Sequence, residues 1–179
     1  MRVIGGSAKK QKLITGYETV RPTSDTIKET LFNLLGDLKQ TYFLDLFAGT
    51  GNIGIEALSR GAASAIFVEK SVSLCKIIRQ NLKLTHFDEK SSVLRREVTK
   101  SLFENFLDKC FIFDIVFADP PYEKGMIKKL FECFDNSIIS NDGVLIVQHS
   151  IREKPLRKPS RELKIGDTNL SFFESKLKQ

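Results

Sequence analysis

Short apolar runs alternate with stretches of helical periodicity along this chain, and the alternation constrains the fold more than any other feature. The runs at 43–47, 65–69 and 111–118 have the length and composition of buried strands. Between them, apolar residues recur every three or four positions, as on one face of a helix. Because parallel strands need a long crossover, usually a helix, this order predicts an α/β fold with a mostly parallel sheet.

The two ends of the chain show a different pattern, which is typical of antiparallel pairing. Residues 2–6 and 12–15 alternate around a Gly-Gly-Ser turn and predict a small β-hairpin. Residues 163–165 and 170–173 flank a Gly-Asp pair and predict a closing hairpin at the C-terminal end. The sheet should therefore be parallel in its body and antiparallel at its last strands.

Composition excludes several classes of protein. With 179 residues, 41% hydrophobic and 28% charged, the chain has the size and balance of one soluble domain. No apolar stretch approaches the roughly 20 residues that cross a bilayer, and the first residues lack a signal peptide's apolar core, so we expect a cytoplasmic protein. Cys75, Cys110 and Cys133 are widely spaced, and only His86 and His149 could join them, so we predict no metal site.

The net charge of +6 is unevenly distributed. Residues 1–21 hold five basic residues and one acidic residue, and residues 152–164 hold six basic and two acidic residues. Residues 22–151 have a small excess of acidic side chains instead. Each basic segment alone could be a solvated face, but two such segments beside an acidic body are typical of an enzyme that binds a polyanion.

This distribution suggests a division of the chain. We predict a basic N-terminal extension at 1–20, formed by the small hairpin, and a main domain at 21–179. A nucleic acid is the expected polyanion. The candidate contacts in the extension are Arg2, Lys9, Lys10 and Lys12.

A glycine-rich turn follows the strand at 43–47. Gly49, Gly51 and Gly54 match the pattern G-x-G-x-x-G, and Glu69 ends the next strand 20 residues after Gly49. This spacing alone fits a dinucleotide site as well as an S-adenosylmethionine site, and a tight turn without any ligand would also produce it. In either kind of site, Glu69 would accept hydrogen bonds from the ribose hydroxyl groups.

The negative charge of Asp45 discriminates between the two candidate cofactors. A carboxylate four residues before the first glycine would repel the pyrophosphate of NAD. The same carboxylate would stabilise the ammonium group of the methionine moiety in S-adenosylmethionine. We therefore predict S-adenosylmethionine as the cofactor, with binding residues Asp45, Phe47, Gly49, Gly51 and Glu69.

The segment Asp119-Pro120-Pro121-Tyr122 closes the apolar run at 111–118. The Asp119 carboxylate and the Pro120 carbonyl could accept both N–H groups of an exocyclic amine and turn its lone pair towards a methyl carbon. Tyr122 would stack on the base, which must leave its own stack or lie in a loop. The alternative is that Pro-Pro only ends the strand and Tyr122 packs in the core. We predict Asp119, Pro120 and Tyr122 as catalytic residues.

Six blocks in order make the chain resemble the RsmD family over nearly its whole length. These blocks are Arg2-Val3-Ile4-Gly5-Gly6, Arg21-Pro22-Thr23, Lys28-Glu29-Thr30-Leu31-Phe32-Asn33, Asp45-Leu46-Phe47-Ala48-Gly49-Thr50-Gly51, Glu56-Ala57-Leu58-Ser59-Arg60-Gly61 and Asp119-Pro120-Pro121-Tyr122. The resemblance implies a class I, Rossmann-like, S-adenosylmethionine-dependent methyltransferase. Members of that family methylate N2 of guanine 966 in bacterial small-subunit ribosomal RNA.

The resemblance also assigns residues. Arg21 and Thr23 fall on a segment near the active-site entrance, where substrate contacts are expected, and Glu97 falls on a position near the adenine of the cofactor. Two positions depart from the family pattern. Glu97 is followed by Val98 instead of Ala, which implies a tighter adenine pocket, and Ser71 stands where an acidic residue often follows the ribose-binding carboxylate.

We therefore expect methyl transfer to guanine N2 of small-subunit ribosomal RNA, in a 30S particle or an assembly intermediate, by a monomer. A DNA adenine-N6 or protein glutamine-N5 methyltransferase shares the Asp-Pro-Pro-Tyr chemistry, although so short a chain has no room for a separate DNA-recognition domain. A NAD-dependent oxidoreductase would have to tolerate Asp45. A non-catalytic RNA-binding factor would have no use for Asp119 and Tyr122.

Overall fold

The structure is a computed structural model that describes residues 1–15, 24–122 and 125–175. The chain divides into two compact units, Met1–Arg96 and Glu97–Gln179. Each unit combines helices with strands, and among the named strands the parallel pairs precede the antiparallel ones, so the predicted fold class is confirmed. Within the described residues, no helix is both long and apolar enough to cross a membrane.

The first unit is a parallel three-stranded arrangement with helical crossovers. Its elements are α1 (Asp25–Leu35), β1 (Tyr42–Leu46), α2 (Asn52–Ser59), β2 (Ser64–Glu69), α3 (Val72–Thr85), a 3₁₀ helix (Asp88–Lys90) and β3 (Ser91–Arg95). Strand β2 lies between β1 and β3 and pairs with both in parallel. Four of the five residues of β1 are buried, so this strand belongs to the core. The carboxyl ends of β1 and β2 are therefore adjacent, at Leu46 and Val68.

The N-terminal segment forms a short antiparallel pair. Arg2 and Lys12 make one bridge, and the Val3 amide donates to the Gln11 carbonyl at 3.0 Å. Further along, the Ile14 amide donates to Asn81 Oδ1 on α3, and Asn81 Nδ2 donates back to the Ile14 carbonyl. The predicted hairpin is thus one bridge long, and its second arm is hydrogen-bonded to α3.

Glu56 on α2 binds the first arm of this segment. Its side chain is fully buried and accepts hydrogen bonds from the Ile4 amide at 2.9 Å and the Gly5 amide at 2.8 Å. Arg60 donates to the same carboxylate at 2.8 Å, and the buried Lys28 ammonium lies 3.6 Å away. A buried carboxylate needs hydrogen-bond donors on both oxygens. These contacts therefore fix where the N-terminal segment packs against α2.

Lys28 on α1 completes the same cluster from the other side. Its ammonium donates to the Arg2 carbonyl and to Asn52 Oδ1, and its side chain is fully buried. Burial lowers the pKa of Lys28, while Glu56 and Asp25 oppose that change. Ser24 caps the start of helix α1, because its hydroxyl accepts a hydrogen bond from the Ile27 amide.

The second unit joins a parallel pair to an antiparallel one. Its elements are α4 (Lys100–Asp108), β4 (Phe113–Ala118), α5 (Met126–Cys133), a 3₁₀ helix (Asn136–Ile138), β5 (Ile139–Ser150), β6 (Arg161–Ile165) and β7 (Thr168–Glu174). Strand β5 pairs in parallel with β4 and antiparallel with β7, and β7 pairs antiparallel with β6. The predicted C-terminal hairpin is confirmed. Strand β5 therefore lies between the strand that ends at Ala118 and the hairpin.

A polar chain crosses the three last strands. The His149 ring is fully buried on β5, with Nε2 2.8 Å from the Ser171 hydroxyl on β7. The Ser171 hydroxyl also lies within hydrogen-bonding distance of Glu162 Oε1 on β6, at 2.8 Å. The ring of His149 thus has a hydrogen-bond partner within the sheet, which indicates a structural role.

Candidate active site

The glycine-rich turn begins where β1 ends. Phe47, Gly49 and Gly51 all have positive φ, at 58°, 57° and 81°. The Ala48 amide donates to the Val68 carbonyl at 3.0 Å, and the Gly51 amide donates to the Ala48 carbonyl at 2.8 Å. Glycine adopts positive φ at no steric cost, whereas Phe47 is held there by the surrounding structure. A non-glycine residue in this region is a frequent feature of ligand-binding sites.

Asp45 holds the first turn of α2. Its side chain is 2% exposed, and Oδ2 accepts a hydrogen bond from the Gly54 amide at 2.9 Å. A Cβ added to Gly54 would lie 2.4 Å from Phe67 Cε1 and 3.1 Å from Asp45 Oδ2. The third glycine of the pattern is therefore required for close packing. One oxygen of Asp45 acts on the protein's own backbone, so its expected contact with a cofactor ammonium stays a prediction.

Glu69 connects the same turn to α3. Its Oε2 accepts from the Gly49 amide at 3.0 Å, and its Oε1 accepts from the Ser71 amide at 2.8 Å. Each carboxylate oxygen has a second acceptor site, which leaves capacity for a ribose hydroxyl group. Ser71 caps α3 by accepting from the Leu74 amide, so the residue that departs from the family pattern has a structural role here.

Four backbone amides of this turn donate to groups of the protein itself. Gly49 and Gly54 donate to carboxylates, and Ala48 and Gly51 donate to carbonyl groups. A dinucleotide turn needs such amides for its pyrophosphate, and it would not place two carboxylates beside that anion. The electrostatics therefore favour a ligand that is cationic at this point over an anionic one.

The second cluster lies where β4 ends, in the second unit. Asp119 and Tyr122 are half-buried, and Pro120 between them is buried. Ala118 is paired with Val147 across β4 and β5, so the next residue of each strand, Asp119 and Gln148, are neighbours. The three residues predicted from Asp-Pro-Pro-Tyr thus lie at the carboxyl end of a buried strand, where ligands of α/β folds bind.

Gln148 contacts both polar members of this cluster, and sequence reasoning missed it. Its Nε2 donates to Asp119 Oδ2 at 3.1 Å and to the Tyr122 hydroxyl at 3.2 Å. The Tyr122 hydroxyl also lies 3.5 Å from the Thr168 hydroxyl at the start of β7. The one available signal was a polar residue at the end of the apolar run 144–147. The sequence did not show that this residue contacts Asp119, because that contact follows from the register of β4 and β5.

The other predicted contacts are exposed. Glu97 precedes α4, and its side chain is exposed. In the N-terminal segment, Arg2, Lys9, Lys10 and Lys12 are exposed, with Arg2 3.2 Å from Asp25 Oδ2. Arg21 and Thr23 lie outside the described residues. Among the residues that the structure covers, no group of three or more His, Cys, Asp or Glu side chains could hold a metal ion.

Comparison with known proteins places the chain in a family. A family model described as "Conserved hypothetical protein 95" matches residues 1–174. YlbH of Bacillus subtilis is 36% identical over 157 residues, which cover 83% of this chain and 82% of that protein. Ribosomal RNA small subunit methyltransferase D of Haemophilus influenzae is 34% identical over 164 residues, covering 89% of this chain and 83% of that protein.

Solved structures share the fold. Hypothetical protein TTHA0928 of Thermus thermophilus has a TM-score of 0.83 at 24% identity, over 97% of this chain and 99% of that one. An RNA methyltransferase of Salinibacter ruber, solved in complex with S-adenosyl-L-homocysteine, has a TM-score of 0.66 at 17% identity, over 86% of this chain and 93% of that one. The fold predicted from the sequence is therefore found in a methyltransferase.

Replacing Gly54 by Ala tests whether the Asp45 contact shapes a cofactor site. In most helices this change stabilises by about 1 kcal/mol, but here the new methyl group would meet the buried Phe67 ring, so we expect a loss of about 1–3 kcal/mol. We also expect affinity for S-adenosylmethionine to fall roughly tenfold, or 1.4 kcal/mol, because the Asp45 contact shifts with the turn. Urea unfolding and a binding titration measure the two effects.

The matched control is Gly166→Ala. Gly166 has a φ of 59° in the β6–β7 turn, and no described atom lies within 4 Å of an added Cβ. Strain at positive φ should cost about 1–2 kcal/mol there, without any change in cofactor affinity. Equal losses of affinity in both variants would show that affinity follows overall stability and not the glycine turn.

Proposed function

The chain belongs to the RsmD family, and from this membership we propose that it transfers a methyl group from S-adenosylmethionine to N2 of guanine 966 in small-subunit ribosomal RNA. The observation that carries the proposal is the Asp119-Pro120-Tyr122 cluster at the end of β4, held by Gln148. This cluster offers acceptors for an amine and an aromatic surface for a base. Whole-chain similarity to a ribosomal RNA small subunit methyltransferase supports the choice of substrate.

The first unit supplies the cofactor residues in this proposal. Glu69 binds the ribose hydroxyls with the acceptor capacity left on its oxygens, and Asp45 supplies negative charge near the methionine ammonium. Phe47, Gly49 and Gly51 shape the turn around the ligand. Beyond these residues, Glu97 is proposed as an adenine contact. The complex of the Salinibacter ruber enzyme with S-adenosyl-L-homocysteine is in keeping with this choice of ligand.

The chemistry needs positioning more than a strong base. The exocyclic nitrogen of guanine has its lone pair delocalised into the ring, and two acceptors on its N–H groups turn the lone pair out of the base plane. S-Adenosylmethionine, when bound, would supply an electrophilic methyl carbon, and attack by the guanine nitrogen would break the carbon–sulfur bond and release S-adenosylhomocysteine with the bonding pair. A proton departs from the methylated nitrogen through Asp119 to water. Prolines keep the acceptors rigid, which lowers the cost of reorganisation during the reaction.

The basic N-terminal segment is the proposed RNA contact. Arg2, Lys9, Lys10 and Lys12 are exposed, while the backbone beside them is hydrogen-bonded to Glu56. Arg21 and Thr23 are proposed to contact the substrate near the active-site entrance. A monomer acting on a 30S particle or an assembly intermediate completes the proposal. Cationic side chains on a fixed backbone bind phosphates with less loss of conformational freedom than a mobile tail does.

Asp119→Ala tests the reaction. With labelled S-adenosylmethionine and small ribosomal subunits that lack the modification, we expect the wild type to transfer label. Asp119→Ala should lose turnover by about 100-fold or more, because one amine acceptor is gone, while cofactor affinity stays nearly unchanged. Asp142→Ala, an exposed carboxylate on β5, is the control and should transfer normally. A parallel loss of cofactor binding in Asp119→Ala would instead make Asp119 a structural or cofactor residue.

The N-terminal lysines are tested by salt dependence. Replacing Lys9, Lys10 and Lys12 together by Ala should weaken RNA binding and flatten the slope of log affinity against log salt, since fewer counterions are released. The matched control replaces Lys100, Lys109 and Lys128 by Ala and so removes the same charge. All three lysines are exposed and lie in the second unit. Filter binding over a salt series gives both slopes. If the arm variant keeps the wild-type slope, the segment does not contact phosphates.

A further inference from the structure

We propose that Gln148 is a positioning residue for the methyl transfer, which holds Asp119 and Tyr122 in one fixed arrangement. The inference rests on the proposed function, because it assigns Asp119 to the amine and Tyr122 to the base. Gln148 itself contacts neither the cofactor nor the base in this account. It acts through the two residues that do.

The hydrogen-bond geometry supports a fork. One amide nitrogen, Nε2, carries two hydrogens, and two acceptors lie at 3.1 Å and 3.2 Å from it: Asp119 Oδ2 and the Tyr122 hydroxyl. An ionised carboxylate can only accept, so the amide must present its nitrogen and not its oxygen to Asp119. The Tyr122 hydroxyl then accepts from Gln148 and can donate its own proton onward. A single side chain thereby fixes the acceptor for the amine and the ring for the base.

The backbone of Gln148 is more constrained than that of its two partners. Gln148 is 4% exposed and lies in the 12-residue strand β5, paired with Leu170 of β7. Asp119 and Tyr122 follow the end of β4 and lie outside the regular strands. Side chains on rigid strands hold a geometry better than those on loops. The fork therefore ties both groups to the regular strand β5.

The cost of burying Gln148 points the same way. Its Oε1 is buried and has no hydrogen-bond partner among the described residues. A buried polar atom without a partner destabilises the folded chain, and an apolar side chain of similar size would avoid that cost. The neighbouring residues of β5, Leu145 to Val147, are all apolar and buried. A glutamine at this position is therefore understandable if its two donors are needed.

The first test is Gln148→Leu, which removes both donors at nearly constant volume. Single-turnover methyl transfer at saturating RNA and cofactor should slow by about 10- to 100-fold, since a small misplacement of reacting groups has effects of this size. The dissociation constant of S-adenosylmethionine and the KM for RNA should stay near wild-type values. A rate equal to wild type overturns the inference, and so does a loss seen only in affinity.

Gln148→Glu gives a signature that a packing role would not. The new carboxyl group would lie beside Asp119, where the two acids can share one proton and keep a hydrogen bond. As the pH rises and the shared proton leaves, the two carboxylates repel each other. We expect the rate of this variant to fall further below wild type with increasing pH and to recover as the pH is lowered. A deficit that is constant with pH contradicts the proposed fork.

Ser171→Ala and the wild-type chain are the two controls, and they distinguish a failure of this inference from a loss of stability and from a failure of the proposed function. Ser171→Ala removes the hydroxyl that links His149 and Glu162 in the same sheet, without touching Asp119 or Tyr122. It should lower stability in urea while leaving the transfer rate unchanged, so stability alone cannot explain a slow Gln148 variant. Absence of transfer by the wild-type chain would refute the proposed function. Transfer by the wild type at the same rate as Gln148→Leu would refute only the role of Gln148.

Discussion

Two buried carboxylates that bind the backbone amides of one turn are the constraint on which the first unit depends. Asp45 accepts from Gly54, and Glu69 accepts from Gly49, so the ends of β1 and β2 and the start of α2 are held by charge-assisted hydrogen bonds. The same contacts remove two amides from any anion-binding role. A turn with the glycine spacing of a dinucleotide site thus has electrostatics that suit S-adenosylmethionine.

A comparable arrangement holds the residues that are proposed to contact the substrate. Glu56, fully buried, binds two amides of the basic N-terminal segment together with Arg60, and Lys28 lies beside it. In the second unit, Gln148 binds both Asp119 and Tyr122. In each case one side chain on a regular element fixes polar groups of an irregular segment. Preorganisation of this kind lowers the entropy that binding and reaction must otherwise overcome.

The local sequence pattern was enough to predict several strands and one turn, for reasons that their residues show. The mostly apolar runs that became β1, β2 and β4 favour burial on both faces, and the Gly-Asp pair favours the β6–β7 turn. The run at 111–118 began too early, because Phe111 and Ile112 are 40% and 46% exposed and precede β4. Strand β5 begins at Ile139, before the apolar run 144–147, since an irregularity in its pairing with β4 accommodates the polar residues 140–142.

Contacts between distant segments could not be predicted in the same way. The N-terminal hairpin is one bridge long because the Ile4 and Gly5 amides bind a side chain on α2 in place of a partner strand. Gln148 and Asp119 are 29 residues apart in the sequence, and the register of β4 against β5 brings them into contact. The backbone contact of Asp45 likewise depends on the packing of Gly54 against Phe67.

The most direct test of the central claim is the chemical identity of the methylated product. After reaction with unmodified small ribosomal subunits, the RNA is digested to nucleosides, and mass spectrometry identifies the labelled nucleoside and its position. The proposed function predicts N2-methylguanosine at a single site, guanine 966. Label in N6-methyladenosine, or in ribosomal protein with none in RNA, would contradict it, and would assign the Asp119 cluster to another amine.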